Sequence, residues 1–205
     1  MAGVTYIYTV RPYSGNVKGD WNSAGTLKRL ADPTVTSISN ATAGISINWN
    51  KSSGASGYIV YRKGTSGSWT RIADIKNGST TSYIDKTASG GSTYSYTVRA
   101  YSGKTMSDWH NYKSLKRLAD PKFDSAYAVK AGITLKWSKV TGAGGYILYR
   151  KAPGGSWTRI ADIRSGSTLK YVDTTAAGGV KYSYTIRAYS GSVMSSWSSV
   201  RNIAR

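Results

Sequence analysis

The sequence predicts an all-β protein made of tandem antiparallel β-sandwiches. Three observations carry that expectation. Short runs alternate apolar and polar residues, clusters of Gly, Ser, Asn and Thr separate the runs, and the whole pattern recurs at an offset of 88 residues. That offset joins Trp49 to Trp137, Tyr58 to Tyr146, Trp69 to Trp157, Asp74 to Asp162 and Tyr83 to Tyr171. It also joins Tyr6, Tyr94 and Tyr182, and then Trp21, Trp109 and Trp197. The segment TYSYTVRAYSG (93–103) has two near copies, TYIYTVRPYSG from Thr5 and KYSYTIRAYSG from Lys181. GYIVYRK (57–63) has one, GYILYRK (145–151). The register explains the imbalance: residues 1–32 are the last third of a repeat, 33–120 a full repeat, and 121–205 a second one.

Taken in order, residues 1–32 supply only the final hairpin of a sandwich. An isolated hairpin is marginal in water, so it is expected to fray, to lie on the first full domain or to pair with an open edge. The full repeat then reads as about seven strands, near 34–40, 43–50, 57–63, 69–75, 81–86, 92–101 and 108–118, with no helical stretch. GISINWN puts Ile45, Ile47 and Trp49 on one face and Ser46, Asn48 and Asn50 on the other. TYSYTVRA does the same with Tyr94, Tyr96, Val98 and Ala100 against Ser95, Thr97 and Arg99. One apolar face per strand is what an antiparallel sheet covered on one side requires. GYIVYRK, WTRIADI and SYIDKT lie between, divided by GTSGS and KNGST. About seven short strands in under ninety residues argue for a sandwich. The linkers KRLADP end in Pro33 and Pro121, which hold the preceding residue extended, so neighbouring domains are expected to be joined semi-rigidly.

These residues resemble a known family. Trp in the second strand, GYxVYR in the third and GxxYxYxVRAY in the sixth are similar to fibronectin type III domains. The particular variant resembles tandem repeats in surface proteins of Gram-positive, clostridia-like bacteria. The resemblance covers essentially the whole chain and implies immunoglobulin-like antiparallel sandwiches placed outside the cell or on its surface. It also implies that Tyr94 and Tyr182 are tyrosine corners, whose hydroxyls tie the sixth strand to nearby backbone, with Tyr6 in that place in the partial repeat. The fold serves many unrelated functions, so the resemblance implies no activity.

Composition closes off most chemistry. The chain has no cysteine and one histidine, His110, and its nine acidic residues are all aspartates. Disulfides, thiolate metal sites and cysteine nucleophiles are therefore excluded, and no cofactor or metal is expected. A Ser–His–Asp arrangement would need His110, whose counterparts are Asn22 and Ser198. Asp74, Asp85, Asp162 and Asp173 sit at strand ends or turns, where an aspartate accepts backbone hydrogen bonds. No catalytic residue is assigned. No apolar run reaches the roughly 18 residues of a membrane span, and MAGVTYIYTV does not read as a signal peptide.

The formal charge is +19. It rises along the chain, from four basic against two acidic residues in 1–32, through eleven against four, to thirteen against three in 121–205. Such an excess favours polyanions. Spread over strands and turns, it fits salt-sensitive association with an anionic cell-wall polymer or polysaccharide better than base reading in nucleic acid. A protein partner is a second candidate.

One surface is a candidate ligand-binding face. If Tyr58 and Val60 point inward, then Ile59, Tyr61 and Lys63 point outward, beside Thr97, Arg99 and Tyr101. The second repeat offers Ile147, Tyr149, Lys151, Thr185, Arg187 and Tyr189. Tyrosine faces stack on sugars or bases while cations hold anionic groups. The competing reading is ordinary cross-strand pairing, worth roughly 0.2–1 kcal/mol per pair. Trp49 and Trp137 are expected in the core, and Trp21, Trp109 and Trp197 near the domain junctions. Trp69 and Trp157, which follow Gly-Ser turns, are expected at the core edge, the competing reading being a carbohydrate platform. The expected role is a non-catalytic spacer or adhesion repeat. The alternative is a carbohydrate- or glycoprotein-binding module using the Tyr/Arg face, accessory to a secreted hydrolase.

Overall fold

The computed structural model describes residues 5–205, for 22–28 the backbone alone. The readings made of residues 1–4 lie outside the described residues. Every regular element described is a strand, and the fold class is all-β, with antiparallel sheets in the fibronectin type III arrangement.

The first strands are β1 (Thr5–Val10), β2 (Tyr13–Ser14), β3 (Val17–Lys18) and β4 (Asn22–Lys28). β1 pairs with β4 and β2 with β3, both antiparallel, one pair nested inside the other. Next come β5 (Val35–Ala41), β6 (Gly44–Trp49), β7 (Gly57–Lys63), β8 (Thr70–Ile75), β9 (Ser82–Asp85), β10 (Thr93–Ser102), β11 (Thr105–Met106) and β12 (Lys113–Lys116). β5, β6 and β9 form one sheet; β8, β7, β10 and β11 form the other, with β12 also on β10. The same order recurs in β13 (Phe123–Val129), β14 (Gly132–Trp137), β15 (Gly145–Lys151), β16 (Thr158–Ile163), β17 (Lys170–Asp173), β18 (Lys181–Ser190), β19 (Val193–Met194) and β20 (Arg201–Ala204). Chain compactness divides the molecule into two units, 1–37 with 47–83 and 95–113, and 38–46 with 84–94 and 114–205.

In the first unit Val35, Ile47, Trp49, Tyr58, Val60, Tyr96, Val98 and Ala100 are buried. They are the inward residues of the alternating runs, and Trp49 meets Tyr58 edge-on at 5.5 Å. In the second unit Trp137 and Tyr146 repeat that contact at 5.4 Å within a core of Ile133, Leu135, Leu148, Tyr184 and Ile186. Each central tyrosine keeps its hydroxyl satisfied. Tyr58 accepts from Ser52 N and donates to the Gly78 carbonyl; Tyr146 accepts from Val140 N and donates to that of Gly166. The glycine before each one is obligatory. A Cβ on Gly57 or Gly145 would collide with the carbonyl of Ile75 or Ile163 and with the ring of Tyr101 or Tyr189.

The tyrosine corners are present in both full repeats: Tyr94 accepts from Ser89 N and Tyr182 from Ala177 N, each at 3.1 Å. Inside the second unit, Asn40 fastens the linker strand. Its amide donates to the carbonyls of Lys116 and Met194, and its side-chain oxygen accepts from Leu118 N. Ser196 Oγ donates to the Asn40 carbonyl and Lys116 Nζ to Ser190 Oγ.

The last strand of each repeat departs from expectation. Instead of one run over 108–118, two paired residues follow a Gly103 turn, the chain leaves the ladder, and pairing resumes at Lys113. The positive φ of Gly103 (58°) and Gly191 (57°) sets that turn. In the gap, serine hydroxyls replace the missing ladder. Ser195 Oγ accepts from Ala188 N and Ser198 Oγ from Ile186 N, while Ser195 N and Ser198 N donate to the carbonyls of the same two residues. Ser107 does likewise for Ala100. A buried amide without a partner is costly, which is why small hydroxyl residues stand at these positions.

Candidate functional site

The strand registers place all eight predicted face residues on one side of the larger sheets. Thr97 lies opposite Tyr61, Arg99 opposite Ile59, Ser95 opposite Lys63 and Tyr101 opposite Gly57. Thr185, Arg187, Ser183 and Tyr189 lie opposite Tyr149, Ile147, Lys151 and Gly145. The structure differs from the sequence reading in what lies above them. This face is not a bare stripe, because the chain leaving the ladder after Ser107 or Ser195 folds back across it. Trp109 and Trp197 therefore sit on the outer sheet face, not at domain junctions as expected.

Trp109 packs 4.6 Å from the Tyr61 ring, and the Arg99 guanidinium lies 5.0 Å from the indole centre. Trp197 repeats this with Tyr149 at 4.9 Å and Arg187 at 4.8 Å. The pair occurs a third time, Arg11 lying 5.3 Å from Trp21. Each arginine of the full repeats also donates to backbone, Arg99 Nε to the Ser107 carbonyl and Arg187 Nε and Nη2 to that of Ser195. Cation–π contact and a charge-assisted hydrogen bond thus pin the crossing segment to its sheet. Ile59 is buried although its strand position faces outward, and it lines a hollow with Tyr101 and Met106.

Trp69 and Trp157 stand on the same face and not at the core edge. Lys63 Nζ lies 5.1 Å from the Trp69 ring and Lys151 Nζ 5.5 Å from that of Trp157. At the far end, Tyr101 donates to Asp74 at 3.0 Å and Tyr189 to Asp162 at 3.1 Å. Desolvation and the adjoining carboxylate push both phenol pKa values up. Asp74 also pairs with Arg71, and Asp162 with Arg159 and Arg164.

Asp173 is fully buried, ending β17. It accepts from Tyr184 Oη at 2.7 Å, Arg150 Nη1 at 2.8 Å and both the amide and hydroxyl of Thr175. Burial opposes its ionisation, but these donors outweigh burial and hold the carboxyl below its ordinary range. Burial and the same carboxylate drive the Tyr184 hydroxyl well up. Among the described residues no group of three acidic or histidine side chains could hold a metal ion, and no helix is long and apolar enough to cross a membrane.

Sequence reasoning missed the crossing tryptophans because it carried strand alternation through 108–118. The available signal was the run SSWSS, too serine-rich for a half-buried strand. Trp157, Trp197 and Val200, exposed at 39%, 47% and 52%, line an open slot of about 490 Å³ with Tyr149, Thr185 and Ser198. The corresponding hollow of the first repeat, between Trp69, Trp109, Tyr112, Thr97 and His110, is about 210 Å³.

These geometries define two full repeats of fibronectin type III-like sandwich architecture, preceded by a hairpin. No family model matches the chain. It is similar to Exoglucanase B of Cellulomonas fimi, 27% identical over 161 residues, covering 69% of this chain. The match spans only 13% of that enzyme. Among solved structures, a two-domain fibronectin type III segment of chicken tenascin is 17% identical with a TM-score of 0.44, covering 85% of this chain and all of that one. The FN1–FN3 domains of chicken CNTN1 are 15% identical with a TM-score of 0.39, covering 99% of this chain and 76% of that one.

Proposed function

We propose that the chain is a non-catalytic spacer and accessory module of an extracellular protein that works at a polysaccharide or cell-wall surface. Its domains are 33–120 and 121–205, preceded by the partial repeat 1–32, and its positive charge supplies salt-sensitive affinity for anionic polymer. One observation carries the reading: side chains that could do chemistry are tied to their own chain in the same way in both repeats. Arg99 and Arg187 hold a tryptophan and a carbonyl, and Tyr101 and Tyr189 hold Asp74 and Asp162. Repeated internal ties are the mark of a building unit, whereas a catalytic site needs groups free to meet substrate. The similarity to part of an exoglucanase supports an accessory place beside a glycan-acting domain.

The test is binding of the whole chain to purified Gram-positive cell walls, with and without their anionic polymers, at low and high salt. The reading predicts binding at low salt that falls away at high salt or once the anionic polymers are removed, because polyanion contacts are lost as counterions compete. Absence of binding at low salt would remove the proposed affinity. Turnover of any polysaccharide by the purified chain would overturn the non-catalytic reading.

A further inference from the structure

We propose that the slot between Trp157 and Trp197 is a binding site for a sugar ring of an acidic, uronate-bearing polysaccharide. This deepens the accessory-module reading and rests on it. The two repeats differ at two lining positions, His110 against Ser198 and Tyr112 against Val200, and the latter exchange removes an aromatic ring. In the first repeat, Tyr112 closes the hollow: its ring meets Trp69 edge-on at 5.9 Å, and Trp69 stacks on Trp109 at 6.2 Å with planes 30° apart. The second repeat has Val200 where the first has Tyr112, and its slot is more than twice as large. What the first repeat fills with its own aromatic ring, the second leaves open between two half-exposed indoles.

The slot has the chemistry of a ring-binding site. Its walls are flat and apolar, and its floor carries the Thr185 and Ser198 hydroxyls, held in place by hydrogen bonds to each other and to backbone. A mostly apolar cleft with a few fixed polar groups is the usual form of a small-ligand site. Charge selects among sugars. No acidic residue lines the slot, Lys151 Nζ stands over Trp157 at its rim, and the chain as a whole carries +19. A single ammonium suits one carboxylate, whereas Arg187, the group shaped for bidentate phosphate recognition, is already committed to Ser195 and Trp197. A pyranose ring against the indoles with its carboxylate toward Lys151 satisfies both features.

The experiment is titration of the full chain with polygalacturonate, followed by tryptophan fluorescence and affinity electrophoresis. Poly-aspartate serves as an anion without rings and hydroxyethylcellulose as rings without charge. Val200→Tyr should fill the slot as Tyr112 fills its counterpart and weaken polygalacturonate binding roughly fivefold or more, the scale of one lost stacking contact. Tyr112→Val should open a second site and raise the number of rings bound per chain. Both residues are more than half exposed, so thermal melting should stay close to the parent and certify the fold. Unchanged binding in Val200→Tyr, or poly-aspartate binding as tightly as polygalacturonate, would overturn the slot and leave the charged spacer standing. Equal binding of hydroxyethylcellulose would overturn the preference for acidic sugar. No binding to either polyanion at low salt would sink both this site and the proposed polyanion affinity.

Discussion

Asp173 shows how a residue that looks catalytic on paper becomes architecture. A buried carboxylate beside an arginine and a tyrosine is a familiar reactive grouping, yet every one of its donors comes from the same sandwich. Breaking such a pair strands Arg150, and Asp173→Asn should cost on the order of 3 kcal/mol in urea unfolding at neutral pH. The pH dependence has a definite sign. The folded carboxyl titrates below its unfolded value, so its contribution is fully present above the unfolded pKa and is lost as pH falls through the folded one. Parent stability should therefore decline below about pH 4, and the Asn variant should lack that part of the decline. The sequence reading already placed Asp173 at a strand end accepting backbone hydrogen bonds. It could not see Arg150, because the two are brought together only by the packing of one sheet on the other.

At the scale of elements, the segment that crosses each larger sheet is the feature that strand periodicity could not reveal. Ladder bonds to β18 stop at Tyr184 on one side and resume at Tyr189 on the other, and Ser195 and Ser198 bridge the interval. Ser195→Ala would leave the buried Ala188 amide without a partner, at a cost of about 1–3 kcal/mol. Hydrogen exchange should show faster exchange at Ala188 and Ile186, together with greater exposure of Trp197, while the opposite sheet keeps its protection. The strands themselves were legible because their sequences alternate: apolar residues recur at period two in β6 and β14, although Thr134 of β14 is buried as well. Trp109 and Trp197 were misplaced because side-chain hydrogen bonds, not alternation, decide where their segment runs. The eight face residues were found on the right side of the sheet, since register follows from the same period. What covers them was not found.

At the scale of the molecule, the 88-residue offset does most of the explaining. It reproduces the core, the corner tyrosines, the arginine–tryptophan pairs and the tyrosine–aspartate pairs, so a departure from it, such as Val200 for Tyr112, stands out as a change in surface chemistry on an unchanged frame. The central claim is that Arg99, Arg187 and the Tyr101 and Tyr189 end of the Tyr/Arg face are part of that frame, and that the polyanion affinity proposed for the chain arises elsewhere, on its basic surface and at the Trp157–Trp197 slot. The most direct measurement compares the parent chain with the double variant Tyr101→Ser, Tyr189→Ser in cell-wall binding at low salt, with melting recorded alongside. Neither substitution alters charge. The account predicts unchanged wall binding and a modest fall in melting temperature from the two lost hydrogen bonds to Asp74 and Asp162. Loss of wall binding with melting unchanged would contradict it, and would make the tyrosine face the binding site.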